Sequence, residues 1–155
     1  MQGHPQIVEL LNDILRFELT AVNQYFLNSR MCDNWGYKRL ADRHREISMD
    51  EMRDVEELID RILYLEGHPN LQRLNPLAIG ETAVEQIRLA MELEHTAVRN
   101  LNAGIARCIE LDDQGTREYL GGMIAEEEEH ADYWESQLEA VRQLGEPLYL
   151  AQQLH

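Results

Sequence analysis

A chain of 155 residues is enough for one domain with one good core. Hydrophobic residues make up 44% and aromatics 6%, and long runs of Glu, Leu, Ala, Arg and Gln suit an all-helical bundle. The 29 acidic residues against 14 basic ones give a formal charge of −15, which argues against nucleic acid and anionic membranes as partners and is compatible with attraction of cations.

Cys32 and Cys108 have no metal-like spacing and offer no disulfide framework, so a reducing, cytoplasmic setting is expected. The N-terminal stretch "MQGHPQIVEL" lacks the basic and apolar regions of a signal peptide. No apolar run is long enough to span a bilayer.

Breakers divide the chain into four long helical segments, near 5–34, 38–66, 81–111 and 116–143, with a short tail helix at 147–153. The first ends at "NWG" and carries an apolar stripe through Leu11, Ile14, Glu18, Ala21 and Tyr25. The second runs through Leu40, His44, Ile47, Glu51, Asp54, Leu58, Ile62 and Leu65. "EGHPNLQRLNPLAIG" at 66–80 is a long crossover, which lets the second and third helices run parallel. The third stripe is Ile87, Met91, Glu94, Val98, Leu101, Ile105 and Cys108. After "LDDQG", the fourth is Leu120, Ile124, Glu127, Ala131, Trp134, Leu138 and Val141.

Each stripe is broken near its middle by a glutamate, and an ionised carboxylate inside a bundle is costly unless paired or bound to metal. The spacings repeat. Glu18 and Glu51 are 33 residues apart, as are Glu94 and Glu127, and each first-hairpin glutamate lies 76 residues before its second-hairpin counterpart. The two helical hairpins therefore follow one plan, related by a pseudo-twofold axis. One hairpin carries Glu127-x-x-His130 and the other Glu51-x-x-Asp54, and residues three apart share a helix face. Within the run Glu126–Glu129, Glu127 lies on the core stripe, while Glu126 and Glu129 flank it on the polar side and are expected in solvent. One such glutamate alone fits an ordinary salt bridge. Four at matched spacing fit a ferritin-like pair of metal sites, in which two helices give one Glu each and two give an i, i+3 pair. Hard carboxylates can bridge two metal ions and hold both ferrous and ferric states, and imidazole adds a borderline donor. Iron is the expected metal, with manganese or zinc able to occupy the site in vitro. Tyr25 reads either as core or as a hydrogen-bond partner of a ligand carboxylate. His44, His68 and His95 read as solvent or packing residues, and His4 and His155 carry no signal.

Along nearly its whole length the sequence resembles the bacterioferritins. The blocks "NQYFLNSRM" at 23–31, "NWGYKRL" at 34–40, "DEMRD" at 50–54, "RILYLEGHPNLQRL" at 61–74 and "EEEEHADYWE" at 126–135 carry the likeness. The resemblance implies one ferritin-like di-iron domain over 1–155. It implies a four-helix bundle with a long crossover and a short fifth helix, assembled as a hollow homo-oligomer of 24 subunits or mixed with a second bacterioferritin subunit. It further implies ferroxidase activity, with storage of ferric mineral. Glu51 and Glu127 would bridge the iron pair, Glu18 and Glu94 would be terminal, and His130 would complete the set. Where the family has a histidine, this chain has Asp54; an aspartate oxygen there would add one negative charge and favour ferric iron. Met52 lies about 100° round the helix from Glu51 and reads by geometry as a surface or interface methionine. The resemblance makes it an axial ligand of a b-type haem at a twofold interface, with Met31, Trp35 and Met49 lining the contact. Asp50 matches a position that binds iron on the inner surface in some members, but its usual neighbours are replaced by Glu46 and Ile47. A ferredoxin-like protein would be the electron donor.

Three rival readings stay open. One is a haem-bearing structural subunit of a mixed shell, whose di-iron site is weakened by Asp54. The second is a small di-iron oxidase or peroxidase that builds no shell. The third is a helix bundle that binds no metal tightly.

Overall fold

Capping residues set where the helices begin and end. In a computed structural model covering residues 1–155, the first helix, α1 (Pro5–Trp35), starts with Pro5 in its first turn and the His4 ring accepting from the Gln6 N–H. Its C-terminus turns at Gly36, whose φ of 87° is the left-handed conformation glycine adopts without strain. The second helix, α2 (Lys38–Tyr64), follows at once. The third, α3 (Ala83–Glu110), begins two residues later than its apolar pattern suggests, because the Thr82 hydroxyl accepts from the Glu85 N–H and so caps it. The fourth, α4 (Gln114–Leu144), begins two residues earlier than expected, with the Asp113 carboxylate accepting from the Thr116 N–H at 2.9 Å. The short fifth helix, α5 (Glu146–Ala151), buries Tyr149, whose hydroxyl donates to Gln137, and the Gln153 carbonyl beyond it accepts from the Arg39 N–H.

α1 packs chiefly on α2, and α3 on α4. Cross-contacts fix the directions. Ser29 donates to the Ala41 carbonyl and Ser48 to the Val22 carbonyl, so α1 and α2 are antiparallel. Tyr25 reaches Glu94 and Cys32 reaches Gln86, so α1 and α3 are antiparallel too. Hence α2 and α3 run parallel, as the long crossover requires. The crossover is fastened by polar side chains on one side of α1. Asn12 donates to the His68 carbonyl and accepts from the Asn70 N–H, Thr20 accepts from the Asn75 N–H, and Gln24 accepts from the Ala78 N–H. These bonds satisfy partly buried loop backbone that has no helix or strand partner.

The core is in two parts. One cluster holds Leu11, Leu15, Val55, Leu58, Leu101, Leu120 and their neighbours. The other holds Tyr25, Leu40, Ile47, Ile87, Trp134 and Tyr149. On α3 the face turned inward is displaced from the sequence stripe. Ala83, Ala90, Ala97 and Gly104 are buried, whereas Met91, Val98 and Ile105 are only half-buried. Small residues seven apart let the helices approach closely; a Cβ at Gly104 would lie 3.2 Å from Leu120 Cδ1. On α4, Met123 is buried and Ile124 half-buried. No helix is long and apolar enough to cross a membrane.

Candidate metal centre

The gap between the two apolar clusters is filled by acids. Glu18 of α1, Glu51 and Asp54 of α2, Glu94 of α3, and Glu127 and His130 of α4 are all buried, none more than 4% exposed. Each lies on its stripe between residues of one cluster and residues of the other, so the same helical period that builds the core brings the six together. No lysine or arginine pairs with any of the five carboxylates; the only cationic partner in reach is His130. Glu18 Oε2, both Glu51 oxygens, Asp54 Oδ2, Glu94 Oε2 and Glu127 Oε1 have no hydrogen-bond partner. Unpartnered carboxylate oxygens at this depth are the arrangement that bound cations relieve.

Two four-residue sets emerge, each with ligand atoms within 4.8 Å of one another. The first is Glu18, Glu51, Asp54 and Glu127; the second is Glu51, Glu94, Glu127 and His130. They share Glu51 and Glu127. His130 Nδ1 lies 3.2 Å from Glu51, 3.6 Å from Glu94 and 3.7 Å from Glu127. Its other nitrogen, Nε2, faces outward to Asp50 Oδ2 at 3.1 Å. Asp50 also pairs with Arg53, and with Glu126 and His130 it forms a third, half-buried set. Glu126 is thus not in solvent as the sequence pattern suggests. Its backbone sits just off the stripe, but its side chain lies beside His130 with one oxygen buried and unpartnered. Glu129 is exposed as expected.

The electrostatics follow from burial. Burial pushes up the carboxyls of Glu18, Glu51 and Glu94, and neighbouring carboxylates push them further. Burial, then Glu126, Glu127 and Glu57, raises Asp54 to about 8. Glu127 goes the other way: burial opposes its charge, but the nearby proton-bearing groups of Glu94, His130 and Glu51 hold it below the usual range. Burial also opposes charge on His130, yet Glu127 and Glu94 overcome it and lift the ring to about 11. The cluster therefore shares protons that a pair of cations would displace, with His130 giving up its own to ligate.

Around the acids stands an aromatic group. Tyr25 Oη donates to Glu94 Oε1 at 2.5 Å and accepts from Trp134 Nε1 at 3.0 Å. Tyr25 is both core, fully buried in the second apolar cluster, and a hydrogen-bond partner of a candidate ligand. His44 is fully buried against Trp134, ring centroids 4.7 Å apart, and neither ring nitrogen has a partner. It is a packing residue, as is consistent with its stripe position. His95 bonds Glu135 and His68 is exposed. His4, silent in the sequence, is the cap of α1. Met52 lies outside this centre, 44% exposed on the outer side of α2 with Met49 at 40%. Met31 does not join them; its sulfur accepts from Gln86 Nε2.

Comparison with known proteins agrees with this architecture. Residues 8–144 match the family model of the ferritin-like domain. The chain is 49% identical to a bacterioferritin of Mycobacterium bovis, over 98% of this chain and 96% of that protein. It is 42% identical to a Streptomyces coelicolor bacterioferritin over 97% and 90%, and 40% identical to one from Brucella melitensis over 96% and 92%. The chain belongs to the bacterioferritins, in the ferritin-like family.

Proposed function

We propose that this chain is an iron-storage ferroxidase, a single domain over 1–155 that assembles into a closed shell of like subunits. One observation carries the reading: two metal-ligand sets overlap on Glu51 and Glu127 inside one bundle. Two carboxylates common to both sets can bridge a pair of ions and hold them a few ångströms apart, the spacing two-metal sites use. Ferrous iron is then the substrate. The pair together supplies the two electrons that reduce dioxygen to peroxide, or peroxide to water, and the ferric product moves on to the mineral. Glu18 and Asp54 hold one ion, Glu94 and His130 the other. Tyr25 orients Glu94 by its hydrogen bond. Asp50 and Glu126, reached through the far nitrogen of His130, form a station by which iron leaves for the inner surface. The extra carboxylate of Asp54 favours the ferric state and slows release. The bridging role is tested by anaerobic binding of ferrous iron. Glu51→Gln and Glu127→Gln should each weaken both ions, Glu18→Gln chiefly one, and Glu94→Gln chiefly the other; equal effects from all four would sink the assignment.

Met52, on the outer side of α2, is the residue that would hold haem. Met52 and Met49 are exposed, Phe26 of α1 is 43% exposed, and Arg45 lies over the Phe26 ring. Met52 of each of two copies would hold a shared haem through its thioether sulfur, with Met49 and Phe26 adding exposed apolar surface. When bound, haem supplies a one-electron relay, and a ferredoxin-like donor would feed it for iron release. Asp54 keeps one rival in play, a haem-bearing subunit of a mixed shell whose own centre oxidises slowly. Normal ferroxidation by shells of this chain alone excludes that rival.

A further inference from the structure

The two ion positions differ in chemistry, and the difference is this chain's own. The set Glu18, Glu51, Asp54 and Glu127 offers oxygen only, whereas Glu51, Glu94, Glu127 and His130 includes an imidazole nitrogen. Oxygen-only sets suit hard divalent ions such as manganese, while imidazole improves the fit of iron and its later neighbours. The oxygen-only position is also the more electron-rich, since all four of its residues are carboxylates and His130 approaches only the two it shares, Glu51 and Glu127. Its donors are in place: Glu18 Oε2, both Glu51 oxygens and Asp54 Oδ2 are buried without partners, on residues no more than 4% exposed. The five carboxylates of the centre exceed the charge of a divalent pair by one, so the site tolerates a strongly held hard cation.

We infer that the Glu18–Glu51–Asp54–Glu127 position discriminates poorly between ferrous iron and manganese(II), while the His130 position prefers iron, so that the centre accepts a mixed manganese–iron pair. The inference rests on the two-ion reading above and adds to it a division of metal preference.

The test uses the assembled, metal-free shell without oxygen. It is loaded with manganese(II), free manganese is read by electron paramagnetic resonance, and ferrous iron is then added stepwise. About half of the bound manganese should leave readily and the rest resist roughly tenfold more iron. Crystals from the midpoint should show manganese anomalous scattering beside Asp54 and not beside His130. In Asp54→His the two halves should leave together. Release of all manganese in one step from the unaltered chain, or manganese anomalous scattering beside His130, would overturn the division while leaving the two-ion reading intact. Failure of both manganese and iron to bind as a pair per subunit would overturn the two-ion reading itself. The map of the unaltered chain stands even if the variant does not assemble.

Discussion

Replacing His44 with phenylalanine should leave the protein as stable or more stable at neutral pH and should flatten its acid sensitivity. His44 is fully buried, stacked 4.7 Å from Trp134 and 5.7 Å from Tyr25, and neither nitrogen is hydrogen-bonded. Each such buried, unsatisfied polar group costs about 1–3 kcal/mol. A phenyl ring keeps the stacking and removes that cost, against about 1 kcal/mol or more for its extra bulk. The pH effect is larger. Burial lowers the folded-state pKa to about 3 from the ordinary 6.5. Below pH 6.5 the unfolded chain takes up a proton that the folded chain refuses, so stability falls as pH drops through this window. The slope is about 1.4 kcal/mol per pH unit, or about 2 kcal/mol lost by about pH 5. For a chain of this size that is a drop of roughly 4–8 °C in melting midpoint. Asp54 of the centre runs the other way: raised to about 8, it favours the folded state at low pH and loses that contribution as pH rises. The difference between the unaltered chain and His44→Phe isolates the histidine. Midpoints of metal-free shells should be compared across the weakly acidic range at one protein concentration. Parallel curves, or a variant far less stable at neutral pH, would show instead that the His44 nitrogens are satisfied.

Other residues give sharper or more local effects. Tyr25→Phe deprives Glu94 of its donor and Trp134 of its acceptor, and should cost about 2 kcal/mol in thermal unfolding while slowing ferrous oxidation. Met52→Leu should abolish the absorption spectrum of bound haem after reconstitution and leave ferrous binding at the buried centre unchanged, because Met52 lies on the exposed side of α2.

Much of this architecture is legible in the helical period. Glu18, Glu51, Glu94 and Glu127 stand out because a carboxylate on an apolar stripe is anomalous, and the repeated spacing draws in Asp54 and His130, three residues after Glu51 and Glu127. Other features resist that reading. Stripes built from large apolar residues pass over Ala90, Ala97 and Gly104, which face inward because small side chains let α3 pack closely. Glu126 sits beyond the stripe by its backbone, yet its side chain folds back to His130, a matter of rotamer that spacing does not encode. Asn12, Thr20 and Gln24 look like the polar edge of α1, and only the path of the crossover shows that they hold it. The helix starts at Ala83 and Gln114 were displaced from the apolar pattern by side-chain caps at Thr82 and Asp113.

On the proposed function, Asp54 completes a working pair of iron sites. Stopped-flow oxidation of ferrous iron by dioxygen and by peroxide, on metal-free shells of this chain alone, tests it most directly. A fast phase should appear and saturate at a pair of ferrous ions per subunit. Absence of any fast phase with both oxidants would contradict it and leave a shell that stores iron oxidised elsewhere.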